Sequence, residues 1–111
     1  MGGGRRRRPD GETWTEGESA IATEDKLERP HRFRVLLLND DYTTMEFVVT
    51  VLMTVFNHTQ DKAVEIMLHV HNHGLGVAGV YPREVAETKV RRVTELAREN
   101  EFPLRCTMEP E

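Results

Sequence analysis

The chain is poor in the features that would give it away cheaply. It has one cysteine in 111 residues, Cys106, which excludes an internal disulfide framework and a cysteine-based zinc site. No apolar run approaches the ~20 residues that a membrane helix needs. The basic start, MGGGRRRRPDGE, is followed by no apolar segment, so it does not read as a secretory signal. Charge of one sign is lacking too: 15 Lys and Arg face 19 Asp and Glu, a net −4. That is too mild for a protein that coats a nucleic-acid duplex, and a chain 38% hydrophobic is too apolar for general disorder. A small cytosolic domain remains, expected to be a monomer with no membrane or nucleic-acid partner.

Residues 1–31 differ from the rest of the chain. Beyond Met1 their large apolar residues are only Trp14, Ile21 and Leu27. Their charges nearly cancel, and Gly, Glu and Thr are scattered without period. Such a segment cannot bury enough surface to offset its ordering entropy, so it is expected to be a mobile tail. The Arg5–Arg8 run fits contact with RNA or anionic lipid; the blander reading is a solvated run of charge. Pro30 marks the boundary and leaves residues 32–111 for the fold. A domain of ~80 residues buries only a little over ~60% of its unfolded surface, which favours a surface groove over a deep enzymatic cavity.

The periodicities predict six elements. Phe33–Leu38 is an apolar run stopped by Asn39-Asp40-Asp41, a strand ended by turn formers. Thr43 and Glu46 have the capping-box spacing at the start of a helix running to about Phe56. Thr59 caps a second helix, with Ala63, Ile66, Met67 and Val70 on one face and Gly74 at its end. Val77–Tyr81 reads as a strand, and Pro82 suits the first turn of a third helix faced by Ala86, Val90, Val93 and Ala97. Leu104–Met108 alternates like a last strand. The order β-α-α-β-α-β implies a small α+β sandwich, a three-stranded antiparallel sheet covered by three helices. Gly74-Leu75-Gly76 comes after a helix, so it is no phosphate loop.

Chemistry is concentrated in Asn39-Asp40-Asp41 and in His69-Val70-His71-Asn72-His73. On a strand the three histidines would share one side and could hold a metal. On a helix they cannot all converge, and the pattern through Met67 and Val70 favours the helix. Asp40-Asp41 would suit Mg²⁺ in a receiver-like fold, but that fold needs five strands; a polar turn is the simpler reading. Cys106 lies on an alternating strand and reads as a small core residue. No catalytic residue, metal or cofactor is expected.

Val35–Val48, read as VLLLNDDYTTMEFV, closely resembles the first signature of ClpS, the bacterial N-end-rule adaptor family of Clp proteases. The run from Ala63 to Gly74 resembles the second and Gly79–Val90 the third. Together they span about residues 31–109. The resemblance implies an adaptor that binds N-degron chains beginning with Leu, Phe, Tyr or Trp and delivers them to a ClpA-type AAA+ unfoldase. It implies that Asn39, Asp41 and His71 hold the substrate's free α-amino group, which offers N–H donors and needs acceptors. It assigns the side-chain pocket to Leu38, Thr43, Met45, Val48, Met67, Val70 and Leu104, with Asp40 at the rim and Met45 excluding β-branched residues. Tyr81, Glu84, Glu87 and Lys89 resemble the surface that meets the unfoldase's N-terminal domain. Thr44 stands where the family usually has proline and is expected to loosen the first helical turn. The Asn72-His73 pair adds a third histidine to which the resemblance assigns no role. The rival reading is an RNA- or ribosome-associated module that uses the arginine-rich tail.

Overall fold

The computed structural model describes residues 31–111, so the expected tail and its Arg5–Arg8 run lie outside the described residues. Strand β1 (Arg32–Leu38) is followed by helices α1 (Met45–Thr54) and α2 (Gln60–His73). Then come β2 (Leu75–Pro82), α3 (Arg83–Glu99) and β3 (Arg105–Pro110). The β-α-α-β-α-β order is the one the periodicities predict.

β1 lies in the middle of a sheet ordered β2-β1-β3, antiparallel to both neighbours. Its alternation decides the layering. Val35 and Leu37 are fully buried in the core, whereas Arg34 points to the other face and pairs with Glu109 across β3 at 3.0 Å. α3 packs across all three strands through Ala86, Val93 and Ala97. α2 packs on β2 and on α1, and Val51, Leu52, Ala63 and Val70 close the same core.

β2 is longer than predicted. It starts at Leu75, because Gly76 already pairs with Leu37. It also carries a bulge: Val35 pairs with Gly79 and Leu36 with Val77, leaving Ala78 out of register. The carbonyl of Ala78 accepts a hydrogen bond from His58 Nε2 at 2.6 Å, which fixes the tautomer of that ring. At Gly79 only a missing side chain will do. A Cβ there would lie 2.5–2.7 Å from the Tyr81 ring, which folds back over the strand.

The helix termini show one displacement from the sequence reading. Thr59 caps α2 by accepting from Lys62 N, and Gly74 ends it in the left-handed region at φ 93°, both as expected. At α1 the cap is Thr44, which accepts from Phe47 N at 3.1 Å, not Thr43. Thr43 is claimed by the loop, donating its hydroxyl to Asp40 Oδ2 at 2.7 Å. The threonine expected to loosen this turn therefore secures it. Pro82 likewise sits at the cap position of α3, one residue before the first turn, and supplies no side-chain bond.

Candidate functional site

The end of β1 and the end of α2 are tied by one backbone bond, Asn39 N to Gly74 O at 2.9 Å. That bond sets the loop after β1 beside the last turn of α2. The loop itself is shaped by Asp40. Its Oδ1 accepts from the backbone N–H groups of Tyr42 (2.8 Å) and Thr43 (2.7 Å), while Oδ2 takes the Thr43 hydroxyl. Partial burial opposes the charged form of Asp40. The Thr43 and Tyr42 bonds, helped by the field of Arg105, outweigh it and hold the carboxyl below its usual range. The carboxylate is thus occupied as the clamp of a turn.

Between loop and helices lies a cleft of about 500 Å³. Asn39, Asp41 and His71 all line it, although they come from two elements 30 residues apart. All three are exposed, and their side chains make no hydrogen bond to any described residue. Among the described residues, two oxygen-bearing groups and one imidazole thus have no competing hydrogen-bond partner. The apolar part comes from Met45, Val48, Met67 and Val70. Val48, Met67 and Val70 are buried, while Met45 opens α1 and is 47% exposed. Asp40, Asp41 and Glu46 make three carboxylates in the lining, with no lysine or arginine among the described residues there. Such a cleft favours a cation with an apolar attachment.

Nine of the eleven residues that the family resemblance assigns to amine and pocket line this one cleft: Asn39, Asp40, Asp41, Thr43, Met45, Val48, Met67, Val70 and His71. Leu38 and Leu104 do not. Leu38 alternates away from the core face of β1, and Leu104 is buried before β3 begins. Tyr42, Thr44 and Glu46 line the cleft without having been assigned to it. Their signal was contiguity, since the whole run 39–46 wraps around one opening.

The expected unfoldase face is mixed in character. Glu84 is exposed and Glu87 pairs with Arg83 at 3.4 Å. Tyr81 is half-buried against Phe56, and burial raises its hydroxyl pKa. Lys89 donates to the Val55 carbonyl at 2.6 Å and lies 5.4 Å from the Tyr81 ring centroid. The three histidines all lie on α2. His71 faces the cleft, while His69 and His73 stack on each other at 4.2 Å elsewhere. Among the described residues no three His, Cys, Asp or Glu side chains are placed to hold a metal. Burial pushes the Cys106 thiol up to about 12, which makes a nucleophilic role there untenable. No described helix is long and apolar enough to cross a membrane.

Comparison with known proteins decides the family. Residues 28–107 match the family described as ATP-dependent Clp protease adaptor protein ClpS. The chain belongs to the ClpS family. It is similar to the ATP-dependent Clp protease adapter protein ClpS of Desulfatibacillum aliphaticivorans, 58% identical over 95 residues, covering 86% of this chain and 91% of that protein. It is similar also to that of Phenylobacterium zucineum, 54% identical over 104 residues, or 92% of this chain and 95% of the relative. Among solved structures, Agrobacterium tumefaciens ClpS2 bound to L-phenylalaninamide matches with a TM-score of 0.73 and 46% identity. The match covers 75% of this chain and all of that one. Both relatives are named as adapters.

Proposed function

We propose that this ClpS adaptor grips the free α-amino group and large hydrophobic first side chain of N-degron substrates, those beginning with Leu, Phe, Tyr or Trp. It then passes them to a ClpA-type AAA+ unfoldase in the cytoplasm. The observation that carries the reading is the cleft: among the described residues its lining joins an apolar floor to three carboxylates and holds no lysine or arginine. L-phenylalaninamide, bound by the Agrobacterium relative, has the matching chemistry of an α-amine beside a benzyl group.

In this reading Asn39, Asp41 and neutral His71 accept from the ammonium, which has three donors and no acceptor. Each bond to the charged group contributes about 1.5–3 kcal/mol. Met45, Val48, Met67 and Val70 receive the side chain, and full burial of one Leu or Phe adds about 1.5–3 kcal/mol. Methionine suits that task, because its thioether adapts to both aliphatic and aromatic shapes. Residues 32–111 form the adaptor domain, with Tyr81, Glu84, Glu87 and Lys89 toward the unfoldase and residues 1–31 as the tail.

Fluorescence polarisation with peptides beginning with Phe, Val and N-acetyl-Phe tests the proposal. The free Phe peptide should bind at least about 100-fold more tightly than the acetylated one, corresponding to some 3 kcal/mol. Equal binding of all three, or of none, sinks it. Tight, salt-sensitive binding of an RNA oligonucleotide would promote the rival module instead.

A further inference from the structure

The substrate cleft continues along the two helices that floor it. Met45, Glu46 and Met67 also line a second, more open groove of about 460 Å³ between α1 and α2. Two stripes flank that groove. Met45, Val49 and Met53 succeed one another at helical spacing on α1, and Gln60, Val64 and Met67 do so on α2. Met53 is 38% exposed, while Val49 and Val64 pack on the core and keep part of their surface outside. The outward positions of a surface helix are ordinarily polar, yet here the channel between two helices is apolar. Glu46 is the one charged residue in its lining among the described residues.

His71 lies on the same stripe of α2, because positions 60, 64, 67 and 71 share one helix face. That order gives the groove a direction. A chain with its amine at His71 and its first side chain between Met45 and Met67 has Val64 and then Gln60 ahead of it. Val64 lies about 10 Å along the axis from His71, at ~1.5 Å per residue. A hydrogen bond of ~3 Å to the amine and two steps of ~3.3 Å along an extended chain bring the third substrate residue to that level. Alternation turns the first and third side chains to the same side and the second away.

We propose that the groove is a subsite for the third residue of the substrate and that it selects an apolar side chain there. The assignment rests on the proposed function, in which the first cleft seats a free N-terminus. Val49 and Val64 supply the walls, and the flexible thioether of Met53 adapts to the occupant.

The test uses the full chain and labelled peptides that begin Phe-Gly-Gly-Gly, with leucine placed second, third or fourth, and an N-acetylated control. Leucine in third place should bind about fivefold more tightly than glycine, as partial burial of one leucine side chain predicts, and in the other places within about twofold of it. Methyl resonances of Val49, Met53 and Val64 should move with the third-place leucine and hold still with glycine. In the double variant Val49→Thr, Val64→Thr, hydroxyls replace methyls, and the leucine-to-glycine ratio should drop to about two or less. An unchanged ratio in that variant overturns the proposal. So does a leucine that helps equally in all three places or in none, while the free peptide still outbinds its acetylated form; the first cleft then stands without the groove. If free and acetylated peptides bind alike, the reading of the first cleft fails and the groove falls with it.

Discussion

Lys89 is placed by family resemblance on the surface that meets the unfoldase, yet its ammonium is turned inward onto the fold. Its Nζ donates to the carbonyl of Val55 at 2.6 Å, at the C-terminal end of α1. Val55 is only 6% exposed, and no other described group donates to that carbonyl. Lys89→Met keeps most of the aliphatic stem and removes the donor. It leaves a buried acceptor unpaired, at about 1–3 kcal/mol, and gives up the cation at a helix C-terminus, at about 0.3–1 kcal/mol. A loss near 2 kcal/mol lowers the Tm of a domain this small by roughly 8–16 °C. Thermal unfolding followed by circular dichroism reads the effect directly, and Lys89→Arg should recover part of it. If the methionine variant melts within about 2 °C of the parent, the carbonyl is not dependent on Lys89 and the reasoning fails. The result bears on delivery: loss of unfoldase binding in a Lys89 variant counts as loss of a contact only below the variant's own melting range.

Three other perturbations rest on described contacts. Thr44→Val removes the cap of α1 and should cost ~1 kcal/mol in denaturant unfolding, whereas Thr43→Val should instead disorder the Asp40 loop. Asp40→Asn should destabilise the parent near neutral pH. Because the folded carboxyl titrates below its ordinary 3.8, the benefit is fully present above that value. It is lost as pH falls through the lower, folded value, so the two unfolding curves should converge in acid. Cys106, buried with its thiol near 12, should resist a disulfide reagent at pH 8 in the native state and react at once in denaturant; rapid native labelling would contradict its burial.

Much of this was legible in the sequence because local signals agreed. The apolar run Val35–Leu38, the cap at Thr59, the left-handed Gly74 and the amphipathic face Ala86–Ala97 each pointed to the element that forms. What local reading missed were competitions between neighbours. Thr43 and Thr44 are equally good caps, and the choice falls to Asp40, which captures Thr43 from three residues upstream. The bulge at Ala78 arises from pairing with β1 and has no signature in β2 alone. Lys89 read as a surface charge because its acceptor lies 34 residues away. The histidines were read as a set of three, which a helix cannot converge, and the pair one turn apart was hidden within that set. The cleft's walls were recognisable as motifs, but their juxtaposition depends on a contact between backbone groups.

That contact, from Asn39 N to Gly74 O, has a bearing on how the site can change over generations. It is made by main-chain atoms and survives any side chain at position 39 other than proline. The groups at 39, 41 and 71 make no hydrogen bond within the described fold, so under the proposed function exchanging them would alter what the cleft accepts without disturbing what holds it open. Under that reading frame and selectivity are inherited separately. Such a protein can drift toward new ligands through single substitutions while still folding, and a designer can rewrite its preference with the scaffold left alone.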